Sequence, residues 1–89
     1  MEIKSNQVSV AKDTNIQTFT GNVEIILNEN DLLKIKSDKT TKLENSVIIL
    51  EGNVVIISKK CKIKTKEATF VKIENDYFVK MNKAIITQL

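Results

Sequence analysis

Residues 19–25 read Phe-Thr-Gly-Asn-Val-Glu-Ile, and residues 50–56 read Leu-Glu-Gly-Asn-Val-Val-Ile. Gly21 and Gly52 open the shared Gly-Asn-Val unit and are 31 residues apart. Apolar side chains around each glycine alternate with the period of two that is typical of a β-strand. Because a glycine inside a strand usually marks a bulge or a bend, these stretches predict long strands that are kinked at Gly21 and Gly52.

A third, less complete copy of this unit spans residues 80–86, where Asn82 stands 30 residues after Gly52. Asn tolerates a positive φ better than most residues with a side chain, so the substitution predicts a kink at Asn82 as well. The alternative is that each Gly or Asn ends one strand and begins another.

Two further features repeat along the chain. Ile-Lys-Ser or Ile-Lys-Thr triplets occur at residues 3–5, 35–37 and 63–65. Polar clusters rich in Asn and acidic residues occupy residues 13–15, 44–46 and 74–76, and they predict hairpin turns. The spacings therefore indicate about three degenerate units of roughly thirty residues each.

The alternation extends through most of the chain and predicts an all-β antiparallel fold in one domain, residues 1–89, with no helix. The abundance of Ile and Val favours strands in the same way. Residues 46–58 are apolar on both faces, which predicts a central strand or a partner contact. The predicted strands are 2–11, 16–27, 32–43, 46–58, 61–73 and 77–88.

The composition excludes most catalytic chemistry. The sequence has no His and one Cys, so a transition-metal site, a His-dependent triad and a disulfide within the chain are all excluded. Cys61 lies in an alternating stretch and is interpreted as a buried thiol. We expect a protein that is not an enzyme and that has no catalytic residue, no metal and no cofactor.

The formal net charge is +3, and Lys supplies every positive side chain. Such a modest excess fits either an ordinary solvated surface or an anionic partner. Nucleic-acid readout favours Arg and exposed aromatic residues, and the chain has no Arg and four aromatic residues, so we expect no nucleic-acid partner. Residues 1–5 contain no apolar signal region, so we expect any signal peptide or membrane anchor to lie outside this sequence.

The repeated order of turn, strand, Gly-Asn-Val and Ile-Lys-Ser/Thr strand resembles the OstA-like β-jellyroll family of lipopolysaccharide-transport proteins. The matching residues are 19–25 with 35–39, and 50–56 with 63–68. This family includes the periplasmic bridge protein LptA, the periplasmic domain of LptC and the N-terminal domain of LptD. The third copy lacks its glycine, so a single-module, anchor-derived or truncated member fits better than a full bridge.

The resemblance implies a folded-over sheet in the periplasm that binds and transfers lipopolysaccharide, with the lipid A acyl chains in an apolar groove. It also implies that open ends join other β-jellyroll transport proteins or further copies of the chain. Residues 2–11 and 77–88 are the candidates for this joining, because unpaired strand edges are templates for strand addition. The alternative is a structural β-repeat that assembles edge to edge without a ligand.

Apolar residues in the inward phase are candidates to line the lipid groove, or alternatively to form a closed core. They are Phe19, Val23, Ile25, Ile35, Leu50, Val54, Ile56 and Ile63. Lysines in the opposite phase are candidates to bind headgroup phosphates at a groove rim, or alternatively to form a solubilising face that protects strand edges. They are Lys34, Lys36, Lys62 and Lys64.

Overall fold

The computed structural model describes residues 1–29, 32–44, 46–74 and 76–89. Within these ranges the chain forms strands and turns and no helix, so the all-β prediction is confirmed. The strands are β1 (Glu2–Lys4), β2 (Gln7–Ala11), β3 (Ile16–Glu29), β4 (Leu32–Lys42), β5 (Val47–Ser58), β6 (Cys61–Ile73), β7 (Asp76–Lys80) and β8 (Ala84–Gln88).

The strands form one antiparallel sheet that is not closed on itself, which is consistent with a β-jellyroll-like fold. The four long strands β3 to β6 pair in chain order and make up its middle. At one edge β1 and β2 both pair with β3, and at the other edge β7 and β8 both pair with β6. Each edge therefore consists of two short strands placed end to end.

The four middle strands lie within two residues of their predicted bounds. The first and last predicted strands, 2–11 and 77–88, are each divided in two. The difference follows from position in the sheet, because β3 to β6 have a partner on each side and the edge strands have only one. A break in an edge strand interrupts one ladder of hydrogen bonds instead of two.

The kinks predicted at Gly21 and Gly52 are confirmed. Each glycine has φ of 80°, and the Asn that follows it, Asn22 or Asn53, has φ of 48°. The register shifts between Thr20 and Val23 in β3, and between Glu51 and Val54 in β5. Two successive residues in the left-handed region therefore form a bulge that turns each long strand through a corner.

A polar side chain lies against each of these glycines, from β4 at Gly52 and from the link between β1 and β2 at Gly21. An added Cβ on Gly52 would lie 2.6 Å from Asp38 Oδ2, and one on Gly21 would lie 2.8 Å from Asn6 Nδ2. Asn53 Nδ2 also donates a hydrogen bond of 2.9 Å to Asp38 Oδ2. Glycine is therefore required at these corners both for its backbone angle and for the space it leaves.

The kink predicted within a strand at Asn82 is wrong, and the alternative, that one strand ends and another begins there, is confirmed. The chain there leaves the ladder after Lys80 and re-enters it at Ala84, and Asn82 is not among the described residues with positive φ. The third repeat has Lys66 where the second has Asp38, so a short polar side chain is missing from this corner. The strands on either side of Asn82, β7 and β8, lie at an edge of the sheet, where no further strand holds the chain in register.

The predicted hairpin turns connect β2 to β3, β4 to β5 and β6 to β7, and each pair is antiparallel. One described residue of each cluster has positive φ: Asn15, Ser46 and Glu74, at 55°, 59° and 56°. Asn45 and Asn75, which belong to the second and third clusters, lie outside the described residues.

The corners divide the sheet into two halves. One half, which we call the Ile25 half, contains β1, β8 and residues 23–29, 32–37, 54–58 and 61–65. The other, which we call the Phe19 half, contains β2, β7 and residues 16–20, 39–42, 47–51 and 67–73. Buried apolar side chains of both halves belong to one cluster. The halves therefore fold over each other and share a core.

One pair of hydroxyl groups joins the two halves inside this core. Ser37 and Thr40 are the buried polar residues, and their hydroxyl oxygens are 2.8 Å apart. Ser37 belongs to the Ile25 half and Thr40 to the Phe19 half, so their hydrogen bond spans the corner of β4. Each hydroxyl is the hydrogen-bond partner of the other, so neither polar group is left unpaired in the core.

We expect Gly52→Ala to lower the free energy of unfolding by about 2 kcal/mol, because alanine at positive φ is strained and its Cβ overlaps Asp38. Urea denaturation of Gly52→Ala, Asp38→Ala and the double variant measures the free-energy cost of this overlap. The double variant should lose less stability than the sum of the two single changes. Strict additivity would contradict the close contact.

We expect Thr40→Val alone to cost about 1–3 kcal/mol, because it leaves the buried Ser37 hydroxyl without its partner. Adding Ser37→Ala removes that unpaired group and should recover most of the loss. Denaturant midpoints of the two single variants and the double variant provide the measurement. A double variant that is less stable than either single variant would show that the hydrogen bond does not govern this corner.

Candidate functional site: an apolar slot open at both edges

The inner face of the Ile25 half carries an unbroken row of isoleucines across six strand segments. The register places each isoleucine directly opposite the next. From one edge of the sheet to the other they are Ile3, Ile25, Ile35, Ile56, Ile63 and Ile86. The row is buried at its centre and exposed at its end on β8.

The Phe19 half faces this row with two rows of its own. Phe19, Thr40, Leu50 and Ala68 lie opposite one another across β3 to β6. The next row runs from Val10 through Gln17, Lys42, Ile48 and Phe70 to Val79. Apolar side chains therefore line most of both walls of the space between the halves, which we call the slot, and the half-buried Gln17 and Lys42 interrupt them on one wall.

All eight predicted groove residues lie on this inner face. Phe19, Val23, Ile25, Ile35, Leu50, Val54 and Ile56 are buried in the shared cluster. Ile63 is half-buried and packs against it. In this conformation the middle of the slot is thus filled by the side chains of its own walls.

The slot is open at both edges of the sheet. On β2, Val8 lies opposite Phe19 and Val10 opposite Gln17, yet these valines are 57% and 52% exposed. On β8, Ile86 lies opposite Ile63 and is 60% exposed. These side chains point in the same phase as the core, but no further strand covers them.

The edge on β7 has an aromatic lining. The Tyr77 ring contacts the Phe70 ring edge to face, with centroids 6.4 Å apart. Lys72 Nζ lies 5.5 Å from the centre of the Tyr77 ring. Tyr77 and Met81 pack against the buried cluster from this edge. The C-terminal mouth of the slot thus combines apolar and aromatic surface with one cation.

A cleft of about 850 Å³ lies at the irregular corner near Asn82, where β5, β6 and β8 meet. Its lining includes Asn53 and Thr65 from the corner, and Val55, Lys64 and Ile85 from the outer face of the Ile25 half. The Thr65 hydroxyl donates a hydrogen bond of 2.6 Å to the Lys83 carbonyl oxygen, which ties the detached segment to β6. In the sequence, this irregular corner is indicated by the absence of a glycine from the third repeat.

The four predicted headgroup lysines lie together on the outer face of the Ile25 half, away from the slot. Lys36 and Lys64 lie on either side of Val55, and Lys34 and Lys62 on either side of Ile57. This position follows from strand alternation, because their neighbours in sequence point inward. No slot mouth is formed by these lysines.

Lys34 also makes the shorter ion pair of this face, with Nζ 3.1 Å from Glu24 Oε1. The hydrogen bond and the charge of Lys34 hold the pKa of Glu24 below its ordinary value. Both side chains are about one-third exposed, so the pair contributes little to stability. Its effect is to fix Lys34 beside β3.

The edge residues Val8, Val10, Val79 and Ile86 lie within 2–11 and 77–88, which were predicted to join modules, but they were not among the predicted groove residues. The sequence shows that these residues alternate with polar neighbours, but it does not show which residues they lie opposite in the sheet. Cys61 is half-buried near the turn between β5 and β6, so its thiol is less buried than predicted. Its sulfur is 3.4 Å from the Ser58 hydroxyl.

Among the described residues, no cluster of acidic, His or Cys side chains could hold a metal ion. No helix in the same part of the chain is long and apolar enough to cross a lipid bilayer. The chain matches no protein-family model, and a search of curated proteins found no significant relative.

Proposed function

We propose that this chain is a non-enzymatic lipid-handling module that binds the acyl chains of lipopolysaccharide and transfers them across the periplasm. The observation that carries the proposal is the largely apolar inner face, which is packed closed at its centre and ends in uncovered side chains at both edges of the sheet. The repeat order in the sequence also resembles that of lipopolysaccharide-transport modules, and the sheet is consistent with a β-jellyroll-like fold.

The exposed edge residues are suited to acyl chains. Val8 and Val10 at one mouth, and Ile86 with Val79 at the other, present apolar surface that is continuous with the core. Burial of each acyl methylene against such surface stabilises a complex by about 0.8 kcal/mol. A chain of a dozen methylenes therefore binds without any polar contact to the slot.

The filled centre of the slot determines how a lipid enters. The walls are one sheet bent at its corners, and the sheet is not closed on itself. Lipid seated at a mouth reaches the centre only if the two halves move apart along the row of isoleucines. Apolar side chains that separate from one another then contact the acyl chain instead, so their apolar surface stays out of water.

The edges themselves are suited to strand addition by a similar module. β2 and β8 are exposed along their full length, and each pairs with one strand only. An added strand would satisfy their free backbone groups and cover the apolar residues at the mouth. Two modules joined in this way have one continuous slot.

The alternative function is a structural β-repeat that assembles edge to edge without a ligand. The specific observation in its favour is the closed centre, where Ile25, Leu50 and Val54 have no exposed surface. This alternative requires the same edges and no separation of the halves. The two functions therefore differ in whether lipid contacts the inner face.

Photo-crosslinking from β8 tests contact with lipid. Ile86 is 60% exposed and points to the slot, whereas Phe78 on β7 is 56% exposed and points to the outer face of the Phe19 half. With a photoreactive phenylalanine at either site, we expect adducts with lipopolysaccharide at residue 86 and few at residue 78. Equal labelling, or none at residue 86 in folded protein, would contradict the proposal.

Edge assembly is tested on β2. We expect Val8→Lys to weaken self-association by at least tenfold, because the substitution places a charge in the apolar contact between modules. Ser9→Lys, on the outer face of the same strand, is the matched control and should retain association. Sedimentation velocity over a concentration series measures both. If both variants self-associate as tightly as the wild type, the contact between modules does not lie on β2.

A further inference from the structure

The outer face of the Ile25 half differs in charge from the rest of the sheet. Its two cross-strand rows follow directly from the register. One row is Lys4, Glu24, Lys36, Val55, Lys64 and Ile85, and the other is Glu2, Ile26, Lys34, Ile57, Lys62 and Thr87. These twelve residues include five lysines and two glutamates, a net charge of +3 that equals the formal charge of the whole chain.

The corresponding rows on the outer face of the Phe19 half are neutral. Gln7, Thr20, Lys39, Glu51 and Glu67 form one row, and Ser9, Thr18, Thr41, Ile49, Thr69 and Lys80 form the other. Two lysines are balanced here by two glutamates. The positive charge is therefore concentrated on one of the two outer faces.

Both carboxylates of the basic face are already paired with its own lysines. Glu24 contacts Lys34, and Glu2 lies 3.7 Å from Lys4. Among the described side chains, neither Lys36 nor Lys64 is within salt-bridge distance of a carboxylate. Lys36 lies opposite Glu24, and its charge, together with Lys34, helps to lower the pKa of that carboxyl, but Lys36 forms no ion pair with it. The exposed ammonium groups of Lys36 and Lys64 therefore remain available to an anionic partner.

Apolar side chains lie between these lysines. Val55 and Ile57 are half-buried, each between two lysines, and Ile85 is exposed at the end of its row. Lysine stems lie along apolar surface while their ammonium groups reach outward. A sheet face with cations around a low apolar centre matches the phosphate plane and upper acyl region of a bilayer.

We propose that this basic face, defined by Lys34, Lys36, Lys62, Lys64, Val55 and Ile57, docks the module on the surface of an anionic phospholipid membrane. It lies on the opposite side of the sheet from the slot, so docking leaves the slot and both edges free. The proposal does not depend on the proposed function. Lysine forms no bidentate fork, and no aromatic residue lies on these rows, so nucleic acid fits the face less well.

The test is sedimentation with vesicles of phosphatidylcholine, with and without phosphatidylglycerol. We expect binding to the anionic vesicles at low salt, weaker binding at about 0.15 M salt, and none to the neutral vesicles. Lys36→Gln with Lys64→Gln should weaken binding roughly 25-fold, at about fivefold for each lysine.

The matched control is Lys39→Gln with Lys80→Gln, which removes the same charge from the neutral outer face. We expect its binding to stay within about threefold of wild type. Circular dichroism verifies that both variants are folded. Equal binding by the two variants, absence of binding by wild type at low salt, or tighter binding to an oligonucleotide would each overturn the proposal.

Discussion

The architecture depends on the bulges of β3 and β5, at which a long strand turns a corner without leaving its ladder. Each bulge has two consecutive residues at positive φ, and Gly followed by Asn provides them at low cost. The corner also needs a short polar side chain against the glycine, which Asn6 and Asp38 supply. With both requirements met, the long strands continue on each side, and their apolar faces meet in one core.

Much of this arrangement could be predicted from local pattern. A period of two locates strands, and polar clusters locate the turns between them, because both are properties of short stretches. The breaks in the outermost strands could not be predicted in the same way. They depend on how many neighbours a strand has, and no stretch such as 2–11 contains that information.

The candidate site was predictable to a similar extent. The inward phase of Ile25, Leu50 and Val54 follows from alternation, whereas their complete burial follows from contact between halves that are distant in sequence. The same limit applies to Lys36 and Lys64. Alternation places them opposite the core, but only the register shows that they lie together and away from the slot.

The row of isoleucines has a consequence for motion. Each step from strand to strand presents the same side chain again at the inter-strand spacing of about 4.8 Å. Under the proposed function, an acyl chain displaced by one step would meet nearly the same surface that it left, so no position along the row would bind it much more tightly than the next. The direction of transfer would then be set by what adjoins the two ends of the row.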